Sequence, residues 1–213
     1  MDHPPESLAR YFDDKFATDP DPWRYRHSWY EARKRAMLLA ALPHARYRNA
    51  FEPGCAIGAL SAELAWRCEH LLCADLASRA VAAAQARLAT FTNVQVQTLA
   101  MPRDWPAGTF DLIVMSEFAY YLNAGDCTTL AALAASSLAV DGTLACCHWR
   151  HGGESWMLQS AHVHGIFAQA AANASLHGVV QIEDADFLLD VWSRDTRSVA
   201  HRELAEGAHQ LKA

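Results

Sequence analysis

Asn49-Ala-Phe-Glu-Pro-Gly-Cys-Ala-Ile-Gly58 decides how the rest of the chain is read. The run begins apolar, carries an acid at Glu52 and turns at Gly54. Ala59-Leu-Ser-Ala-Glu-Leu-Ala65 follows, with apolar positions 60, 64 and 65 at helical spacing. Strand, glycine turn and helix form the opening unit of nucleotide-binding α/β folds. The ligand there lies at the strand's carboxyl end, against free helix N–H groups. A second apolar run, His70-Leu-Leu-Cys-Ala-Asp75, ends in an acid 21 residues after Gly54. That is close to the roughly 20 residues expected for a carboxylate gripping ribose hydroxyls.

Two nucleotide ligands fit this frame, and the glycines separate them. A dinucleotide fingerprint is G-x-G-x-x-G, which brings backbone close to a pyrophosphate. Here Ala56 occupies the middle position, and Glu52 stands just ahead of the turn. An acid there repels a pyrophosphate and suits a cation. S-adenosylmethionine, with a sulfonium, an ammonium and a ribose but no phosphate, is the better match. A βα turn with no ligand is the bland alternative.

Composition narrows the class further. The chain has 213 residues, 52% hydrophobic and 20% charged, which describes one ordinary globular domain. A net charge of −6 argues against a nucleic-acid surface spread over the domain. The local basic group Arg24, Arg26, Arg33, Lys34 and Arg35 reads by default as solvated helix charge. No apolar run approaches the ~18 residues of a membrane helix, so no membrane partner is expected. The start Met1-Asp-His-Pro-Pro is not that of a signal peptide, so a cytoplasmic location with reduced thiols is expected. The six cysteines form no C-x-x-C pair. Cys147-His148-x-x-His151 lacks a fourth ligand at metal spacing, and no metal is expected.

In chain order, residues 5–27 mix aromatics, charges and prolines, and Pro20 and Pro22 exclude one continuous helix. Ser28-Trp-Tyr-Glu31 reads as a capping box opening a helix to about Leu42. Trp29 or Tyr30, Arg33 and Met37 recur at three to four residues, which puts Arg33 on or beside its buried face. Its partner is then either a core carboxylate or the cofactor's methionyl carboxylate. Ala77–Leu88 reads as a helix capped by Ser78, and Asn93–Thr98 alternates like a strand. Phe110–Glu117 is a continuous apolar run, as in a central parallel strand. A helix from Asn123 to about Leu138, a turn at Val140-Asp-Gly142 and a strand over Thr143–His151 follow. A helix over 160–173 and two strands, Gly178–Glu183 and Ala185–Trp192, complete the pattern. Residues after Arg194 read as a frayed tail. The order implies an α/β fold, a doubly wound and mostly parallel seven-stranded sheet with one antiparallel strand. A single domain is expected, with residues 1–43 as an amino-terminal helical lid, 44–193 as the core and 194–213 as a tail.

Several runs resemble the nodulation protein S-like family of bacterial class I methyltransferases. They are Asp19-Pro-Asp-Pro-Trp-Arg-Tyr-Arg26, Phe51-Glu-Pro-Gly-Cys-Ala-Ile-Gly58, Phe110–Glu117, Tyr120-Tyr-Leu122, His148-Trp-Arg-His151 and Phe187–Trp192. The resemblance implies S-adenosylmethionine as cofactor, with S-adenosylhomocysteine as product. It also implies N-methylation of an amino sugar, in the founding case the deacetylated end of a chitooligosaccharide.

Cofactor contacts are expected at Glu52, Gly54, Cys55, Ala56 and Gly58 in the first loop, and at Asp75 and Leu76 after the second strand. Met101 and Pro102, or Asp104 reaching in, would face the base. Ser116, Glu117 and Tyr121 follow the fourth strand, and Trp23 and Arg33 close the site from the lid. Glu117, His148 and His151, at strand carboxyl ends, are the candidate catalytic groups. The acceptor is expected to be a small molecule or oligosaccharide, and the chain a monomer or weak homodimer. O-methylation of a small hydroxylated acceptor, or a non-catalytic domain that only binds the nucleoside, are the alternatives.

Overall fold

The computed structural model describes residues 7–210, with side chains described through residue 204. Helices α1 (Leu8–Thr18) and α2 (Trp29–Ala41) precede strand β1 (Tyr47–Pro53). Then come α3 (Ala59–Leu64), β2 (Cys68–Asp75), α4 (Ser78–Leu88), β3 (Val94–Thr98) and β4 (Phe110–Ser116). The chain continues through α5 (Ala124–Ser136), β5 (Leu138–Trp149), α6 (Ser160–Asn173), β6 (His177–Glu183), β7 (Phe187–Ser193) and α7 (Val199–Gln210).

The seven strands lie in the order β3-β2-β1-β4-β5-β7-β6. Only β7 runs against its neighbours, pairing antiparallel with both β5 and β6. The unbroken apolar run of β4 has the physical cause read from the sequence. It is the middle strand, and both its faces are covered. Leu112 and Val114 pack toward α2, α3 and α4, whereas Ile113 and Met115 pack toward α5 and α6. Among the described residues, no helix is long and apolar enough to cross a membrane, and all six cysteines are buried and free.

Four local expectations are corrected. Val140-Asp-Gly142 is no turn between elements. β5 runs straight through it, and the register with β4 shifts between Phe110 and Leu112 to take up the extra residues. The frayed tail expected after Arg194 is replaced over 199–210 by α7, held by the buried Arg202, whose guanidinium donates to Asp195 at 3.1 Å; the last three residues of that expectation lie outside the described residues. Ser78 does not cap α4. Ala77 holds the cap position with no side-chain bond, and Asp13 of α1 accepts from the Arg79 N–H (3.0 Å) instead. The Ser28–Glu31 capping box is half formed. Ser28 Oγ accepts from the Glu31 N–H, but the Glu31 carboxylate turns inward to Lys34.

Candidate active site

The strand order reverses between β1 and β4, so the loops leaving their carboxyl ends diverge and open a crevice. Open α/β sheets bind ligands at such a point. The loop after β1 is held closed by backbone bonds. Gly54 N–H and Cys55 N–H both donate to Ala74 O, at 2.7 and 2.9 Å. Gly54 (φ +75°) takes a left-handed conformation natural to glycine, and a Cβ there would lie 2.7 Å from the Phe118 ring. Ala56 is also left-handed, at φ 47°. The absent middle glycine therefore leaves the backbone shape intact and adds only a methyl group.

Asp75, at the end of β2, accepts from the N–H of Ala56 and of Ala77, both at 2.9 Å. Burial raises its pKa, and these backbone donors pull it back. One carboxylate thus fixes the loop and keeps lone pairs for a ligand. Asp75→Ala is expected to weaken S-adenosylhomocysteine binding by roughly tenfold or more, since a charge-assisted bond contributes about 1.5–3 kcal/mol. Titration calorimetry beside a thermal melt checks that binding suffers more than folding.

Aromatic residues of the amino-terminal segment roof this cleft. Phe12, Phe16, Trp23 and Tyr25 face Gly54, Ala56, Asp75, Leu76, Met101, Glu117 and Tyr121 across it. An adjoining polar recess is lined by Glu31, Lys34, Arg35, Glu52, Cys55 and Ser116. A third, aromatic-walled cleft continues outward past Tyr11, Trp23, Tyr30, Tyr121 and Trp149, with Glu31, Glu117 and Glu154 as its acids. Glu31 and Glu117 are common to all three.

Glu117 belongs to a buried charge triad. Lys34 Nζ lies 2.9 Å from Glu31 and 3.2 Å from Glu117, with side-chain exposures of 3%, 8% and 14%. Tyr120 donates its hydroxyl to the other Glu117 oxygen at 2.7 Å. Burial works against the Lys34 charge, but Glu117 and Glu31 outweigh it and raise its pKa. Two acids against one ammonium leave a net negative patch beside the crevice, a place where a ligand cation is stabilised. Glu117 itself sits at φ 60°, a strained conformation for a non-glycine residue that recurs at functional sites.

Glu52 departs from expectation. It is 3% exposed, and burial pushes its carboxyl from 4.5 up to about 8, against the pull of Ser61 and Cys73. Near neutrality it holds a proton, so it does not repel a pyrophosphate by charge. It becomes an anion only when a cation draws the proton off. Between pH 4.5 and about 8 the folded chain holds a proton that the unfolded chain lacks, so this group's stabilisation declines as pH rises through that window. Glu52→Gln is expected to remove the decline, read from melting temperatures near pH 5 and near pH 8. Binding of an ammonium-bearing cofactor to the parent near pH 7 should release about one proton, measured by calorimetry in buffers of different ionisation enthalpy.

Six expected residues lie elsewhere. The Arg33 guanidinium donates to Asp184 at 2.6 Å and lines none of these clefts. The buried face of α2 is Glu31, Lys34, Leu38 and Ala41, one position round from the face expected. Arg35 is the arginine at the recess, bonded to Glu63 at 2.8 Å. His148 is fully buried behind the site, and His151 is an exposed partner of Asp186 at 3.1 Å. Neither reaches a cleft. Gly58 packs against α4, with Leu88 and Ala84 where its Cβ would be, and Pro102 lines none of the three. Asp104 does not reach in either. It accepts from the Ala100 N–H at 2.9 Å within its own loop. Glu31 and Lys34 are among the site residues that sequence reasoning missed, with Arg35 and the aromatics Phe12, Phe16 and Tyr25. The signal was present, because positions 31, 34, 38 and 41 have helical spacing, but two charged residues do not announce a buried face.

The nodulation protein S model matches residues 9–162. The chain belongs to the nodulation protein S (NodS) family. Nodulation protein S of Sinorhizobium fredii is 33% identical over 103 residues, which is 48% of each chain. The match thus spans about half the length of the curated relatives. Among solved structures, a Pseudomonas syringae protein provisionally assigned as a methyltransferase is 48% identical over 78% of this chain and 99% of its own (TM-score 0.69). The N-methyltransferase NodS of Bradyrhizobium japonicum WM9, in complex with S-adenosylhomocysteine, is 26% identical over 87% of this chain and 97% of its own (TM-score 0.76). The family resemblance and the mostly parallel seven-stranded fold read from the sequence are both borne out.

Proposed function

We propose that this chain is an S-adenosylmethionine-dependent methyltransferase of the NodS type that methylates the amine of an amino sugar or a similar small acceptor. The observation that carries the reading is the position of Glu117. Together with Glu31 it joins the roofed nucleoside cleft to an aromatic-walled cleft suited to a sugar ring, and it alone directly follows the central strand β4. Family membership and the S-adenosylhomocysteine complex of the Bradyrhizobium NodS support the choice of cofactor.

The residues present fit that cofactor. Asp75 has lone pairs for ribose hydroxyls, Glu52 can take charge opposite an ammonium, and Arg35 stands at the recess for a carboxylate. S-adenosylmethionine supplies a methyl group on an electrophilic sulfonium. The chain's work is then to bind, orient and exclude water. Tyr30, Trp23 and Trp149 offer ring faces to the acceptor, and Glu117 and Glu31 attract its ammonium. Glu117 is the acid placed to receive the proton that an amine must lose before it attacks. Tyr120, donating to Glu117, holds that carboxylate in place. A hydroxyl acceptor needs a stronger base. Among the described residues no histidine lines the three clefts, which favours the amine.

Methyl-labelled S-adenosylmethionine, offered with a chitooligosaccharide bearing a free non-reducing-end amine, its fully N-acetylated form and small hydroxylated acceptors, tests the reading. Label is expected on the free amine alone. Transfer to hydroxyl acceptors, or to none of the amines, would overturn it.

The same reading makes α1 a lid over the bound nucleoside. Tyr11 donates to Glu154 (3.3 Å), the Phe12 ring meets Tyr121 at 4.8 Å, and Asp13 caps α4. Asp13→Ala removes a cap of about 1 kcal/mol. It is expected to raise amide exchange over residues 8–18 in the ligand-free protein and to leave much of that protection restorable by S-adenosylhomocysteine. Equal exchange in parent and variant would mean that Asp13 does not hold the lid.

A further inference from the structure

Behind the site, buried polar groups form a continuous chain that neither the cofactor cleft nor the acceptor cleft uses. Ala119 N–H lies 3.3 Å from His148 Nε2, His148 Nδ1 lies 3.3 Å from His164 Nε2, and His164 Nδ1 lies 2.5 Å from Asp190. His148 and Ala119 are fully buried, and His164 is 5% exposed. The chain crosses three elements, β5, α6 and β7, and ends in the short turn Ala119–Tyr121 that follows β4. That turn carries Tyr120 and Tyr121, and Glu117 and Phe118 lie immediately before it.

Hydrogen-bond direction fixes every proton in the chain. A backbone N–H can only donate, so His148 Nε2 must accept and His148 carries its hydrogen on Nδ1. That hydrogen is donated to His164 Nε2, which places the hydrogen of His164 on Nδ1, facing the acceptor oxygen of Asp190. The other His148 tautomer, or its protonated form, sets an Nε2–H against the Ala119 N–H, donor against donor. The charged and titratable groups around His148 are Cys146 on its own strand, His164 and, through it, Asp190, Tyr120 at the ring edge, and Lys34. Burial, with Lys34 nearby, keeps His148 neutral.

We propose that Asp190, His164 and His148 are positioning residues. They impose the one His148 tautomer that can accept the Ala119 N–H, and so hold the loop bearing Glu117 and Tyr120 in register with the clefts. The role assigned to that loop rests on the methyltransferase reading, but the tautomer does not. Cys146 Sγ, His148 Nδ1 and His164 Nε2 also lie within 4.8 Å of one another, as metal ligands could. A metal on His148 Nδ1 would force the hydrogen onto Nε2, against Ala119. The two roles exclude each other.

Two readouts on the full chain test the proposal. In protein labelled with nitrogen-15 histidine, His148 and His164 are expected as neutral Nδ1–H tautomers near pH 7, with spectra unmoved by added zinc chloride. An Nε2–H tautomer at His148, or zinc-induced shifts at both rings, would overturn it. For the second readout, His148→Gln keeps an acceptor opposite Ala119 and His148→Leu does not. The glutamine variant is expected to bind S-adenosylhomocysteine close to parental affinity. The leucine variant is expected to bind it about tenfold more weakly, the weight of one buried hydrogen bond with an orphaned donor. Equal affinities in the two variants would contradict the positioning role. If the leucine variant does not fold, the spectra of the parent still decide. Failure of the parent to bind S-adenosylhomocysteine would count against the proposed function and leave the tautomer assignment standing.

Discussion

Gly54→Ala is expected to abolish measurable S-adenosylhomocysteine binding. Two effects combine. Residue 54 sits at φ +75°, where a side chain costs about 1–2 kcal/mol. A new Cβ would also lie 2.7 Å from Cγ and Cδ1 of Phe118 and 2.8 Å from its Cβ. The Phe118 Cβ cannot swing away as a ring end can, so backbone must separate. The two loops that would part are those carrying Asp75's partner Ala56 and the acid Glu117. A loss of about 100-fold or more in affinity therefore exceeds the expected loss of stability, which is about 2–3 kcal/mol. Calorimetric titration and chemical denaturation of the same preparation separate the two. Ala56→Gly, at a position already left-handed (φ 47°), is the control and should be tolerated.

Lys34→Met should produce the largest loss of stability, about 3–5 kcal/mol, because it leaves Glu31 and Glu117 buried without a countercharge. The pH dependence distinguishes this cause from simple repacking. Glu31 already has a pKa raised by burial, with Lys34 opposing the rise. Without Lys34 the folded state gains by holding a proton that the unfolded state gives up above the ordinary carboxylate range. The gap in melting temperature between parent and variant is then expected to narrow as pH falls from about 8 to about 5. Glu52 contributes the same trend to both proteins and cancels in the difference. A gap independent of pH would mean that lost packing, not unpaired charge, destabilises the variant.

The fold was legible because its signals are local and redundant. The glycine loop, the apolar run of β4 and the Asn123 cap each specify one element, and Asn123 does cap α5. The place of Asp75 in the cleft was legible because βα geometry fixes how far along the chain the acid ending the second strand falls. The buried charged and polar groups around Glu117 and behind it were harder to read. Lys34 and Arg33 are adjacent, and a small rotation of α2 decides which enters the core. The core took the lysine because two acids waited there, one of them Glu117 from the carboxyl end of β4. His164 lies on the buried face of α6 with Val163, Phe167 and Ala171, so its spacing resembles that of an apolar residue. Its partners come from two other elements, 16 and 26 residues distant in sequence. No local pattern announces such a pairing. His148 reads from the sequence as a strand-end group facing the site, but it lies within β5, which runs to Trp149, and it is fully buried.

In the proposed function, the crevice between the loops after β1 and β4 binds the nucleoside of S-adenosylmethionine. Titration of the full chain with S-adenosylhomocysteine and, separately, with a nicotinamide dinucleotide tests it most directly. One S-adenosylhomocysteine is expected to bind per chain, with proton release near neutral pH, and no heat is expected from the dinucleotide. Saturable binding of the dinucleotide, with none of S-adenosylhomocysteine, would contradict it.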